Sequence, residues 1–427
     1  MTTPVKKKYG MIPFFIPHLG CPHICVFCNQ TRIAGHNDVS KHELASSVVV
    51  STEPIYGEVD NKAGESINLI QMPPGLSRAE IAHTIREYVG DNRSNKFWEV
   101  AFYGGSFSAI SRILQTELLV EAKRALDVGL IDGIRCSTRP DALYDDDIDF
   151  LYEHGIRTVE IGVQSMNDAI LETSKRGHTA QDVRDAVKRL RNKGIKIGLQ
   201  LLPGLPGETM YTIVETAVEI SKLQPDFVRI YPVLVIENTE LATMYRQGLY
   251  EPLTVEQAVR YSAFMKTWFE DHHIEVIRTG LQSTEELDFG TSLVAGPYEP
   301  AMGELVVNEQ WRIRIEDCIV SHEQYFESLR SGIKSGLFIP LNQDDNVVDD
   351  VLRGIRPRCV KPQIVITYPQ SLTSKIRGVR QCNMKYFAQY YPDFQWCWQV
   401  RKSDAHHRLS VNNQSVSIDI DDIRYVI

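Results

Sequence analysis

"FIPHLGCPHICVFCNQ", residues 15–30, places three cysteines within eight positions: Cys21-x3-Cys25-x2-Cys28, with aromatic Phe27 directly before the last. Thiols so spaced are metal ligands or small buried fillers, and the surrounding chain decides between the two. A structural zinc site is ordinarily built from two Cys/His pairs at ligand spacing. His18 and His23 lie nearby, but no second CxxC or HxxxH pair follows downstream. Three thiolates hold three irons of a cubane cluster, whereas a purely structural [4Fe–4S] site takes four. The fourth iron is then open to a ligand, which is what chemistry at the metal needs. The preceding "MIPFFIPHLG" (11–20) reads as a buried strand ending at a glycine. The cysteine loop therefore leaves the C-terminal end of a strand, where α/β barrels place their active sites.

Length and composition bound the rest. The chain has 427 residues, 43% of them hydrophobic and 24% charged, with a formal net charge of −9. Such a chain is globular and long enough to bury a core without disulfide staples. The basic start "MTTPVKKKYG" is followed by no apolar run of signal-peptide or membrane-spanning length, so a reducing cytoplasm and no membrane are expected. The other five cysteines, Cys136, Cys318, Cys359, Cys382 and Cys397, stand singly, as core fillers do.

Downstream of the cysteines, strand and helix patterns alternate. "KFWEVAFYGGSFSAI" (96–110) is a strand running into Gly104-Gly105-Ser106, a tight turn that lets backbone approach a ligand. "GIRTVEIGVQSM" (155–166), "GIKIGLQLLPGLPGET" (194–209), "DFVRIYPVLVIENTEL" (226–241) and "IEVIRTGLQ" (274–282) read as further strands. Between them, 111–126, 179–194 and 208–223 carry apolar residues at three- and four-residue steps, as amphipathic helices do. The rhythm repeats about six times over roughly 270 residues, which means parallel strands with right-handed crossovers. The expected fold is α/β: a partial TIM-like (β/α)6 barrel over residues 1–300, with polar strand ends gathered at one mouth. Residues 38–75 are polar and turn-rich and read as an insertion or lid; 301–352 read as a helical connector.

CxxxCxΦC after a first strand resembles the radical S-adenosylmethionine (SAM) superfamily. The resemblance implies a [4Fe–4S] cluster on Cys21, Cys25 and Cys28. Its open iron would chelate the methionyl end of SAM, which an electron cleaves to a 5′-deoxyadenosyl radical. It further implies cofactor contacts at Phe27 and at the Gly104-Gly105-Ser106 turn. Similarity to coproporphyrinogen oxidase of the oxygen-independent type puts Gln164, in Gly162-Val163-Gln164, in the place of a ribose-binding amide. Arg176 matches an arginine near the SAM carboxylate. Gln200 stands where those enzymes carry a ribose-binding aspartate, and Ser137 where they carry a Glu. "TRPD" (138–141), "SKRGHT" (174–179) and "RIYPVLVIENTEL" (229–241) resemble more closely the radical SAM domain of the Elongator catalytic subunit, which modifies the tRNA wobble uridine. Two departures stand out: a shorter spacing between the first two cysteines, and no acetyltransferase pattern in 300–427, where "RSGIKSG" (330–336) is a poor pyrophosphate loop. The implied partners are RNA, tRNA first, and an electron donor such as flavodoxin or ferredoxin. The alternatives are a porphyrin or other small-molecule substrate, and an RNA-binding protein whose cluster is structural or redox-sensing.

Residues 353–427 hold 12 Lys+Arg against 5 Asp+Glu, a basic end on an acidic chain, which suits a polyanion. Their order, strand 363–369, helix, turn at Gly378, helix 383–391, strand 394–400, resembles a small α+β KH-type RNA-binding module. KH domains clamp backbone at a GxxG loop; here the second glycine is Gln381. Lys375, Arg377, Gly378, Arg380 and Lys385 are the candidate RNA contacts. Trp396 and Trp398 share the apolar strand face and read as core.

Overall fold

The computed structural model describes residues 8–16, 21, 24–29, 72–90, 96–281, 292–321, 363–400 and 415–419. His18, His23, residues 38–71 of the insertion and the 330–336 stretch lie outside the described residues. The chain divides into two compact units, Met1–Pro300 and Ala301–Ile427.

In the first unit the described elements run β1 (Lys8–Phe15), α1 (Arg78–Val89), β2 (Lys96–Tyr103), α2 (Arg112–Asp127), β3 (Gly133–Thr138), α3 (Asp145–Glu153), β4 (Ile156–Gln164), α4 (Asp168–Thr173), α5 (Ala180–Asn192) and β5 (Lys196–Leu201). They continue with α6 (Met210–Leu223), β6 (Phe227–Ile230), β7 (Val235–Ile236), α7 (Glu240–Arg246), α8 (Val255–Asp271), β8 (Glu275–Thr279) and β9 (Leu293–Ala295). Seven strands form one parallel sheet in the order β1-β2-β3-β4-β5-β6-β8. That is one strand more than the six-fold rhythm suggested. The addition is β3, only six residues long and interrupted at its centre by Arg135.

Helix starts follow local chemistry. Ser77 and Glu80 form a capping box at α1, and Thr179 with Asp182 does the same at α5. Each box satisfies N–H groups that the first turn leaves unpaired. The 226–241 stretch, read as one strand, is split in three. β6 ends before Tyr231-Pro232, because proline offers no N–H to continue a ladder. β7 then pairs antiparallel with β9, and Glu240 opens α7.

The central strands alternate between an apolar and a polar face. Val100 and Phe102, Ile134 and Cys136, and Val159 and Ile161 lie in the main apolar core, as do Leu118 and Leu119 of α2. The intervening positions hold Glu99, Arg135 and Glu160, all buried. A parallel sheet covered by apolar layers on both faces reads as continuous hydrophobic runs. Here one face packs on helices and the other encloses a polar interior.

The second unit contains α9 (Met302–Ser321), β10 (Gln363–Tyr368), α10 (Thr373–Arg377), α11 (Cys382–Tyr390), β11 (Gln395–Val400) and β12 (Ser415–Asp419). Its sheet is β11-β10-β12 with both pairings parallel. The first helix of the stretch read as a connector is part of this core: Trp311, Ile315 and Ile319 pack with Ile364, Ile366 and Phe387. Trp396 and Trp398 are half-buried against the same cluster.

Candidate active site

The cysteine loop is stapled across the strand ends by backbone bonds. Val26 N donates to Ser174 O (3.2 Å), Leu241 N donates to Val26 O (2.7 Å) and Cys28 N donates to Cys25 O (3.0 Å). Asn29 Nδ2 donates to Glu237 O at 2.8 Å. Val26 is buried with Ile170, Leu205, Val233 and Leu241. Cys25 is buried, while Cys21 and Cys28 are half-buried. Burial pushes the Cys21 thiol up, and the Arg139 charge pulls it back down. Among the described residues no three His, Cys, Asp or Glu side chains converge as ligands of one ion. A cubane asks for a different geometry, one thiolate on each of three irons.

The turn after β2 is forced by close packing. Gly104 has φ +77°, and a Cβ there would lie 2.7 Å from Ile16 O, so the first and second strands meet at a position only glycine occupies. Gly105 follows at φ +47°. Ser106, expected to touch the cofactor, is fully buried and spends its hydroxyl inside the protein. Its Oγ lies 2.9 Å from Thr138 Oγ1 and accepts from Arg139 N at 3.2 Å. Ser106 therefore braces the end of β3 against that of β2.

At the end of β4 the expected residues are brought together. Gln164 has φ +71° at a bulge between Gly162 and Gln164, and its buried Oε1 has no partner among the described residues. A buried amide oxygen left unbonded is costly, so a ligand hydrogen-bond donor suits it. Arg176 Nη2 donates to Gly162 O (2.6 Å) and Nη1 to Cys25 Sγ (3.2 Å), and its Nε has no partner among the described residues. A Cβ on Gly162 would sit 2.9 Å from Gln164 Nε2 and 3.3 Å from Arg176 Nη2, so the glycine makes room for both. The Phe27 ring, half-buried on the loop's apolar cluster, lies 5.9 Å from the Arg176 guanidinium carbon. His178 is buried nearby, and burial together with Arg176 pushes its imidazole down to about 3.

Gln200 stands on β5 in register with Gly162, its Nε2 donating to Glu160 Oε2 at 3.3 Å. Glu160 is the hub of a network that reading the sequence missed. It accepts from Arg135 Nη1 (2.8 Å), Tyr103 Oη (2.9 Å) and Arg229 Nη2 (3.0 Å). Arg229 Nε lies 2.8 Å from Glu160 Oε2 without the alignment of a hydrogen bond. Arg135 also pairs with Glu99, Nε to Oε2 at 2.8 Å. The signal was present: one charged residue, at an inward position, in each of "WEVAFY", "GIRCST", "TVEIGV" and "FVRIYP". Ser137 is the register partner of Glu160, so a carboxylate lies one strand away from Ser137.

The residues present fit an iron–sulfur cluster and an anionic, hydroxyl-bearing ligand. Soft thiolates suit iron, unpartnered guanidinium donors suit a carboxylate, and an unpartnered amide oxygen suits a hydroxyl. Cys21, Cys25 and Cys28 would hold the cluster, and Gln164, Arg176 and Gln200 would hold SAM. Together the two cofactors supply one-electron chemistry, while this chain binds, orients and excludes water.

A half-barrel of parallel strands with a CxxxCxxC loop at its mouth defines a class of iron–sulfur, SAM-dependent enzymes. The family comparison agrees: the model for the radical SAM superfamily matches residues 15–220, and the Radical_SAM C-terminal domain model matches 225–312. The chain belongs to the radical SAM superfamily and is an enzyme using a [4Fe–4S] cluster and SAM. A tRNA uridine(34) acetyltransferase of Methanocaldococcus jannaschii is 39% identical over 206 residues, 46% of this chain and 37% of the relative. Elongator complex protein 3 of Schizosaccharomyces pombe is 29% identical over 150 residues, 34% of this chain and 27% of the relative. The heme chaperone HemW of Lactococcus lactis is 25% identical over 284 residues, 66% and 63% of the two chains. The chain thus spans well under half the length of the first two of these relatives. No helix among the described residues is long and apolar enough to cross a membrane.

In the second unit, the candidate RNA contacts divide. Lys375, Arg380 and Lys385 are exposed. Arg377 is not presented to solvent in the same way: its Nε donates to the Tyr368 hydroxyl, and Nη2 reaches Trp398 O at 3.4 Å. Gly378 has φ +78°, and a Cβ there would meet Cys382 Sγ at 2.4 Å. Arg380 and Gln381 both adopt the left-handed conformation.

Proposed function

We propose that this enzyme uses its cluster and SAM to modify a uridine in tRNA, with electrons delivered by a flavodoxin- or ferredoxin-like protein. The observation that carries the reading is the 39% identity to a tRNA uridine(34) acetyltransferase, aligned over 206 residues. Supporting it, the second unit offers Lys375, Arg380 and Lys385 as exposed cations around a glycine turn, suited to phosphate contacts. Arg377 drops out of that set because its guanidinium is engaged inside the unit. Acetyl transfer is not part of the proposal. The test is mass spectrometry of tRNA nucleosides from a strain lacking the gene, complemented by the parent or by Cys25→Ala. A uridine derivative lost in the deletion and restored only by the parent supports the reading; identical nucleoside profiles overturn it.

A second reading, a porphyrin or similar small molecule, has the heme chaperone relative in its favour. Heme titration separates the two: tight, saturable heme binding by the cluster-loaded protein, with unchanged tRNA nucleosides, selects the second.

A further inference from the structure

Two arginines, not one, stand beside the cysteine loop, and the second has no role in the readings above. Arg139 follows directly on β3 and is 3% exposed. Its guanidinium is fixed on three sides. Nε donates to Asp141 Oδ1 (2.9 Å), while Nη2 donates to Asp141 Oδ2 (2.8 Å) and to Arg176 O (2.5 Å). Its backbone N is held by Ser106 Oγ at 3.2 Å. The remaining nitrogen, Nη1, is buried with no partner among the described residues. Arg176, which Arg139 anchors through its carbonyl, itself donates to Cys25 Sγ at 3.2 Å and also keeps a buried donor, Nε, with no partner among the described residues.

A buried guanidinium donor left unsatisfied is expensive, more so than a neutral one. Two such donors in residues bonded to each other, beside thiols that become thiolates when metal binds, point to an anionic partner. Asp141 does not cancel the feature. It occupies two of the three guanidinium nitrogens and sets the plane, leaving the third directed elsewhere. Geometry ties Arg139 to the loop through Arg176: Arg139 Nη2 donates to Arg176 O at 2.5 Å, and Arg176 Nη1 donates to Cys25 Sγ at 3.2 Å.

We infer that Arg139 is a charge-compensating positioning residue for the iron–sulfur cluster: Asp141 and Ser106 hold it so that Nη1 faces the thiolate edge, and Arg176 is steadied by the same side chain. The inference rests on the cluster, not on the RNA reading. Its physical consequence concerns reduction. The reduced cluster carries one more negative charge, and a buried cation nearby stabilises that state and raises the midpoint potential. Removing the cation lowers the potential, and removing the Asp141 carboxylate raises it.

The test uses full-length protein reconstituted anaerobically, with iron content and far-UV circular dichroism measured first. Midpoint potentials follow from redox titration monitored by electron paramagnetic resonance, without SAM. Arg139→Met should shift the potential downward, Asp141→Asn upward, and Arg139→Lys should fall between Arg139→Met and the parent. Opposite shifts from two partners of one ion pair are not what loss of packing produces. Coincident potentials in all variants overturn the inference. So does a change confined to SAM affinity, measured by equilibrium binding, because the orphan donor then serves the cofactor's carboxylate rather than the cluster. Should Arg139→Met fail to fold, Asp141→Asn decides alone: an upward shift supports the inference, and an unchanged potential overturns it.

Discussion

Replacing Glu160 by Gln tests whether the barrel interior is held by charge. The side chain is 0% exposed and accepts four donors, from Arg135, Tyr103, Arg229 and Gln200, between 2.8 and 3.3 Å. Gln keeps the shape but turns one acceptor into a donor and removes the charge. Arg135 keeps its second carboxylate, Glu99. Arg229 loses the acidic partner it shares with Arg135, and its charge stays buried. Breaking a buried pair by removing one partner costs about 3–5 kcal/mol. For a unit of this size that is on the order of 10 °C in Tm. The measurement is thermal unfolding followed by circular dichroism, for Glu160→Gln, Arg229→Met and the double variant. The double variant should be less destabilised than the two single losses added together, because replacing both partners by neutral groups leaves no orphan charge. A Glu160→Gln protein within about 1 kcal/mol of the parent would refute the reasoning, as would strictly additive losses.

Gly104→Ala combines a left-handed backbone with a 2.7 Å contact to Ile16 O; strain of about 1–3 kcal/mol should lower Tm and reduce iron retained on reconstitution, read by iron assay. Gln164→Ala should leave iron content intact and weaken SAM binding by a few-fold to about tenfold, as one neutral hydrogen bond is worth about 0.5–1.5 kcal/mol; equilibrium binding checks it, and unchanged affinity excludes the contact. Glu208 accepts from Gly204 N at 2.6 Å and Leu205 N at 3.3 Å, and burial raises its carboxyl to about 7. The folded state therefore binds more protons than the unfolded one between an ordinary carboxyl pKa and about 7. This group's contribution to stability falls as pH rises through that window. Glu208→Gln should flatten that part of the stability–pH profile in urea titrations, and an unchanged profile counts against the shift. With Lys375, Arg380 and Lys385 as the phosphate contacts, log affinity for single-stranded RNA should fall against log salt with a slope of about −2. Arg377→Gln should lower stability without changing that slope; a slope reduced by Arg377→Gln would return it to the contact set.

Local signals carried much of this protein. The cysteine spacing, the glycine after β2, the GVQ strand end and the helical apolar steps at 111–126, 179–194 and 208–223 are properties of contiguous segments, and they were legible because period and turn chemistry act within a few residues. β3 was less legible, since six residues with Arg135 at the centre give periodicity little to work on. The split of 226–241 turned on Pro232 and on β9, a partner some sixty residues away in the chain. What only the tertiary structure decided is which polar groups spend their bonding capacity on one another. Ser106 looked available in the sequence, and Thr138 and Arg139 occupy it. Arg377 looked like a phosphate contact, and Tyr368 takes its donor. Arg139 looked like one residue of a motif, and Arg176, 37 positions later, reveals it as a neighbour of the cysteine loop. A residue's type fixes what it can bond to, but its partner is chosen by distance in the folded chain. The inward charges of four strands become one network only when the curled sheet closes them around Glu160.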